Sequence, residues 1–326
     1  MRNAFAAELT ELAKADPRVV LLSGDIGNRL FDKFRDRCPD RFFNCGVAEA
    51  NMMSVAAGMG MNGLRPIVYT ITPFVTTRCL EQIRVDVCYH DVPVVIVGVG
   101  AGLGYASLGP THHSCEDIAF LRSLPGMAVV APADPVETRL GLRHAVARGG
   151  PTYIRIGKKG EPNVHQHEPI FAIGKAITMQ EGSDVCLLST GTMLPEVITA
   201  AESLHRRGIS ARVTSFHTVK PLDEEYLQDC FMNYDVVATI EEHSLIGGFG
   251  SAVAEWLSDN PPLRGRLMRF GTADEFFHEA GEQDQCAGGR GGGTSGLSTS
   301  RVSLWSAQGC DVVMVDGGGI PEMRRP

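Results

Sequence analysis

The chain has no run of basic residues, no CxxC pair and no apolar stretch long enough to cross a bilayer. Each absence excludes something. With 30 Lys and Arg against 38 Asp and Glu the net charge is −8, so neither nucleic acid nor an anionic membrane, both of which recruit a basic face, is expected as a principal partner. The nine cysteines, at positions 38, 45, 79, 88, 115, 186, 230, 286 and 310, are odd in number and scattered. Their mostly apolar surroundings favour reduced core thiols over disulfides, zinc ligands or nucleophiles. Apolar runs such as Val92 to Val99 are short and broken by Pro93 and Gly98. The first residues, Met1 to Phe5, enter a helical pattern directly, without a separate apolar core and cleavage site. A cytoplasmic location is expected.

What is present is enough apolar material for two domains: 326 residues, 44% of them hydrophobic and 21% charged. Phe5, Leu9 and Leu12 recur at helical spacing, and Asp16-Pro17 closes that helix before a strand, Val19 to Leu22. Strands follow at Phe42 to Cys45, Ile67 to Ile71, Val92 to Val97, Met127 to Ala131 and Thr152 to Ile156, with helices expected around Leu80 to Val87, Glu116 to Ser123 and Pro135 to Ala147. Such alternation predicts a mostly parallel, doubly wound α/β sheet. Gly157 to Glu168, rich in charge, Gly and Pro, reads as a linker. Beyond it the pattern restarts with strands at Asp184 to Leu188, Ala211 to Ser215 and Val236 to Ile240, and helices near Leu194 to Arg207 and Asp223 to Phe231. From about Cys286 a Gly-rich texture begins that supports neither helix nor strand, apart from one short strand possible within Cys310 to Val315.

Three segments carry candidate chemistry. Glu49 is the one carboxylate in Asn44 to Gly58, a small and apolar run that turns from strand to helix through Gly46. Val47, Ala48, Ala50, Met52, Met53 and Val55 leave little polar surface beside it, which points to a buried carboxyl whose neutral form is favoured. Ser23 to Asn28 is a loop at the carboxyl end of a strand, where open α/β sheets bind ligands. The loop Gly98 to His113 has a Gly-x-Gly-x-Gly-x-Gly pattern without a Walker lysine or a well-placed Rossmann acid. It reads better as a mobile active-site loop carrying two histidines than as a nucleotide fingerprint.

Gly24-Asp25-Ile26, the segment GVAEAN at Gly46 to Asn51, GLRPIVYTITPF at Gly63 to Phe74, GPTHH at Gly109 to His113, LPGMAVVAPAD at Leu124 to Asp134 and EEHSLIGGFGSAV at Glu241 to Val253, in this order, resemble the second half of transketolase. The similarity extends to 1-deoxyxylulose-5-phosphate synthase and to the beta subunits of 2-oxo-acid dehydrogenases, and covers about residues 3–284. It implies two doubly wound α/β domains, a thiamine-diphosphate pyrimidine-binding domain over 1–158 and a transketolase C-terminal domain over 170–284; the linker between them is set at 159–169, and the Gly-rich tail over 285–326, which leaves the family pattern, is expected to be poorly ordered.

The resemblance also implies roles. Glu49 falls where the family's buried glutamate meets N1′ of the thiamine aminopyrimidine and activates the cofactor. Phe74 falls where an aromatic ring stacks on that pyrimidine, with an ordinary core Phe as the other reading. Asp25 and Ile26 match a loop that approaches the cofactor across a subunit interface, although Asp25 also suits a helix cap or turn. His112 matches a histidine facing the reacting carbon and the sugar oxygens, and His113, where the family commonly has Gln, is a second candidate. Lys158 falls where relatives that use sugar phosphates have a phosphate-binding arginine; two solvated linker lysines are the alternative.

Departures from the family pattern narrow the expectation. Leu108 stands where an acidic residue would accept a substrate hydroxyl, which disfavours the usual sugar-phosphate donor. The Gly-Asp-Gly motif that holds Mg²⁺ (or Ca²⁺) and the diphosphate in thiamine enzymes is missing, since neither Gly24-Asp25-Ile26 nor Asp316-Gly317-Gly318 supplies it. The expectation is therefore the beta-type subunit of a split transketolase, active only with an alpha-type, diphosphate-binding partner in an α2β2 assembly around a homodimer core. It would move a two-carbon ketol or acyl unit between small carbonyl or sugar substrates. The alternatives are a subunit of a thiamine-dependent 2-oxo-acid decarboxylating synthase or dehydrogenase, and a non-catalytic subunit of the same fold.

Overall fold

The computed structural model describes residues 1–277 except 28, 261 and 262, together with a short strand at 313–314. In chain order its main elements are helix α1 (Arg2–Ala15), strand β1 (Val19–Ser23), α2 (Asp32–Arg37), β2 (Phe42–Asn44), α3 (Glu49–Met61), β3 (Arg65–Ile71), α4 (Thr72–Val75), α5 (Leu80–Gln82), β4 (Val95–Val99), α6 (Asp117–Arg122), β5 (Ala128–Val130), α7 (Pro135–Arg148) and β6 (Thr152–Ile156). There follow β7 (Ile177–Gln180), β8 (Val185–Ser189), α8 (Leu194–Arg206), β9 (Ala211–Ser215), β10 (Thr218–Lys220), α9 (Glu224–Asn233), β11 (Val236–Ser244), α10 (Phe249–Asp259), β12 (Arg266–Thr272) and β13 (Val313–Met314).

Two sheets result, ordered β10-β5-β6-β4-β3-β1-β2 and β13-β12-β11-β8-β9-β7. The first is parallel apart from β10, and the second is antiparallel only at β7 and β13. Continuous apolar runs such as Val19 to Leu22 suit strands covered on both faces. Successive residues alternate between those faces: Val20, Leu22 and Val68 join one core cluster, while Val19, Leu21 and Ile67 join the other.

The first of these clusters does not stop at the first sheet. It runs on through Cys186, Leu188, Phe216, Phe231 and Trp256 of the second, so the two units share apolar packing. Strand β10 strengthens this union by leaving its own unit to pair antiparallel with β5. Between them lies a fully buried polar knot: Asp117 accepts hydrogen bonds from Tyr153 and Arg155, and Arg155 also donates to the carbonyls of Ser114 and Glu242.

The stretch read as a linker is pinned rather than loose. Asp134 caps α7 at Glu137 N and accepts from the backbone N–H of Val164 and His165 as well. The His165 ring lies 2.8 Å from the Glu137 carboxylate. The helix expected at Leu80 to Val87 is a single α turn followed by a π-helix, Ile83–Tyr89. Among the described residues no helix is long and apolar enough to cross a membrane. The tail expectation for 285–326 falls outside the described residues, except that Val313–Met314 pairs antiparallel with Phe270 and Gly271.

Candidate active site

The parallel strands β1, β2, β3, β4 and β6 deliver five segments to one end of the first sheet, and the candidate residues sit on those segments, Lys158 on the one after β6. Gly24 follows β1 so closely that a Cβ there would stand 3.0 Å from Thr70 Oγ1 and 3.4 Å from Glu49 Cγ. Asp25 adopts a left-handed backbone, φ 55°, and its carboxylate is held by Asn44 Nδ2 at 2.9 Å. That is a turn role, accessible to Asp at modest cost. Ile26 is tied through its carbonyl to Ser23 and packs against the same core cluster as Phe74 and Tyr105.

Glu49 opens α3 and is 3% exposed. Its burial does not come from all the neighbours expected to supply it, because Val47 is 78% exposed and Val55 40%. The side chains before the helix project outward while Met52 and Met53, inside its first turns, point to the core. Nor is the carboxylate surrounded only by apolar groups. Arg78 Nη1 donates to Glu49 Oε1 at 3.0 Å. Close by, burial and the Glu49 carboxylate push the Cys79 thiol up to about 12, so that sulfur stays protonated.

From Arg78 a line of contacts runs to Lys158. Its guanidinium lies 4.1 Å from the centre of the Phe74 ring. Phe74 meets His112 edge to face at 5.1 Å, the His112 ring is 6.1 Å from Tyr105, and the Lys158 ammonium is 4.6 Å from the Tyr105 ring centre. Thr111 Oγ1 is 2.9 Å from His112 Nδ1, which fixes the imidazole's orientation. Burial, and then His113 and Arg78, hold His112 below the usual histidine range, so it is neutral near pH 7 and can accept or donate a hydrogen bond.

The two histidines are not equivalent. His113 is turned inward, its Nε2 without a hydrogen-bond partner among the described residues, and its ring meets Phe277 at 6.4 Å. Burial lowers its proton affinity too. The loop expected to be mobile is braced by an antiparallel bridge between Gly102 and Ser114 and by a 3-10 turn at Ala106–Leu108. Leu108 ends that turn, 52% exposed.

Glu49, Phe74, His112 and Lys158 thus form one connected strip, with Asp25 and Ile26 beside it, Leu108 exposed at the end of its turn and His113 behind. Sequence reasoning missed Arg78 and Tyr105, which join the strip together. No local signal marked the first, since Thr76 separates the 3-10 turn that carries Arg78 from the helical turn that carries Phe74.

A buried carboxylate, an aromatic face and neutral imidazole donors and acceptors suit a flat, nitrogen-rich heteroaromatic ring. No three His, Cys, Asp or Glu side chains cluster to hold a metal ion among the described residues. The family profile described as transketolase, pyrimidine binding domain, matches residues 1–161, and that for the transketolase C-terminal domain matches 174–286. A relative from Clostridium sp. strain MSTE9, the 6-deoxy-6-sulfo-D-fructose transketolase subunit SqwH, is 38% identical over 87% of this chain and 88% of its own length.

The chain belongs to the transketolase family.

This transketolase-family chain is also 36% identical to one of the subunits of the apulose-4-phosphate transketolase of Phocaeicola vulgatus, over 81% of the chain and 85% of the relative. A solved structure described as a split gene transketolase, inactive beta4 tetramer, superposes with a TM-score of 0.77 at 38% identity, covering 84% of this chain and 89% of that one. Membership implies dependence on thiamine diphosphate, whose aminopyrimidine is the kind of ring the strip fits.

Proposed function

We propose that this chain is the beta-type subunit of a split transketolase, transferring a two-carbon ketol unit between small carbonyl or sugar substrates when joined by an alpha-type subunit. The observation that carries the reading is Glu49: a carboxylate 3% exposed, at a helix start, joined to the Phe74 face through the Arg78 guanidinium. Thiamine diphosphate, when bound, supplies the nucleophilic carbon on which the transferred unit rides.

This chain's residues do the proton and orientation work. Glu49 would share a proton with the pyrimidine ring nitrogen, donating it as a carboxyl and accepting the hydrogen bond back as a carboxylate once the proton has moved. Phe74 supports the ring face. His112, neutral and steered by Thr111, donates to the substrate oxygen or takes its proton, and Lys158 meets an anionic substrate group as a point charge. Asp25 and Ile26 would approach the cofactor across the subunit interface, and His113 is a second candidate for contact with the substrate. Mg²⁺ or Ca²⁺, with the diphosphate, belongs to the partner, in an α2β2 assembly built on a pair of these chains. The domain limits proposed are 1–158 and 170–284, joined by 159–169.

A 2-oxo-acid decarboxylating role is the second reading, favoured by Leu108, which offers no acceptor for a substrate hydroxyl. Both readings are tested with the chain reconstituted with its alpha-type partner. Ketol transfer from a ketose, phosphorylated or not, without turnover of pyruvate is expected, with Glu49→Gln folded as before and about 100-fold slower or worse. Turnover of pyruvate alone would favour the second reading, and an unchanged rate in Glu49→Gln would remove Glu49 from the reaction.

A further inference from the structure

We propose that Arg78 is the positioning residue of this pocket, one guanidinium that holds the Glu49 carboxylate by Oε1 and at the same time covers the face of Phe74. The inference rests on the reading of Glu49 and Phe74 as ring-binding residues, and names the side chain that sets both.

The geometry is specific. Glu49 has lost its water, being 3% exposed, and among the described residues Arg78 Nη1, at 3.0 Å, is its hydrogen-bond partner. The same guanidinium lies 4.1 Å from the Phe74 ring centre. Its own side chain remains 44% exposed, so the group spans from the buried oxygen to solvent. A planar, permanently charged fork can donate in its plane and stack on its face; an ammonium can do only one of these well.

Neighbouring charges do not offer Glu49 a substitute. On the turn that carries Arg78, Cys79 is a protonated thiol that donates toward the Phe74 carbonyl at 3.2 Å. On the loop after β1, Asp25 bears the same sign as Glu49 and is engaged by Asn44. On the loop after β4, His112 is held neutral, in part by Arg78 itself. Removing Arg78 would leave a buried carboxylate free to swing and a ring face open to collapse.

Two measurements test the assignment on the full chain. The first needs no cofactor: urea midpoints for the wild type, Arg78→Met, Glu49→Gln and the double variant. Arg78→Met is expected to lower the midpoint, and most of that loss should vanish in the Glu49→Gln background; additive losses would overturn the coupling.

The second is calorimetric affinity for thiamine diphosphate of the chain reconstituted with its diphosphate-binding partner. Arg78→Met should weaken binding about 10-fold or more, Arg78→Lys should fall between it and the wild type, and the double variant should bind no worse than Glu49→Gln alone. Wild-type affinity in Arg78→Met would overturn the assignment. Failure of Glu49→Gln to affect turnover would overturn the functional reading, and the urea cycle would still decide whether Arg78 positions Glu49.

Discussion

At the scale of single residues, the pocket is a set of side chains that constrain one another's protonation. His112 shows this most directly. Partial burial, His113 and the Arg78 guanidinium all disfavour its charged form, so it gains its proton only below the ordinary value of 6.5. The limb of the turnover profile that reports His112 should therefore lie on the acid side of pH 6.5, with activity level above it. Arg78→Met removes one of the opposing charges and should move that limb upward, which a pH–rate series on both proteins would measure. A limb above 6.5 in the wild type would contradict the assignment. Glu49 stood out in the sequence by its apolar neighbours, and Phe74 and His112 by the family resemblance of their segments. Arg78 did not, because an arginine among Thr77, Cys79 and Leu80 looks like any surface arginine until folding brings it over the ring of Phe74.

Among the elements, local rules were legible wherever one principle governed. Thr152–Ile156 and Ala211–Ser215 form strands at the expected positions, since both are short, buried for the most part and carry β-branched residues. Helix α7 has Asp134 as cap, Pro135 at its first position and Gly149 with φ 75° just past its end. Elements that depend on distant partners were not legible. Strand β10 is three residues, Thr-Val-Lys, that become a strand only because β5 offers an edge. Strand β7 alternates between half-buried and exposed and depends likewise on pairing with β9. The linker's anchorage was hidden for the same reason, since Asp134 reaches Val164 and His165 across the fold. Replacing Asp134 by Ala removes the α7 cap and both anchors together. It should destabilise the chain by about 2 kcal/mol or more in urea titration, beyond the loss of a helix cap alone. A loss under about 0.5 kcal/mol, the size usual for a surface change, would show that the anchors carry no weight.

As a whole molecule, the chain is two α/β units fused through a common apolar cluster, the β10 exchange and the knot of Asp117, Tyr153 and Arg155. Arg155 and Asp117 are 3% and 0% exposed, 2.8 Å apart. Arg155→Met would leave Asp117 as a buried charge without its counter-ion, a change that costs about 3–5 kcal/mol. Because Arg155 of the first unit also donates to the Glu242 carbonyl of the second, unfolding should remain a single transition at a lower midpoint. Two separated transitions would show that the units are coupled less tightly than the shared core indicates.

The same scale decides function. The strip from Glu49 to Lys158 offers groups for a heteroaromatic ring and a carbonyl substrate, and the Gly-Asp-Gly motif for metal and diphosphate is missing from the sequence. The account's central claim is that this chain is the ring-binding part of a divided site. Calorimetric titration of thiamine diphosphate with Mg²⁺ tests it most directly, performed on the isolated chain and on the chain mixed with a partner bearing the Gly-Asp-Gly motif. Tight, saturable binding by the pair and little or none by the isolated chain is the predicted result; equally tight binding by the isolated chain would contradict it.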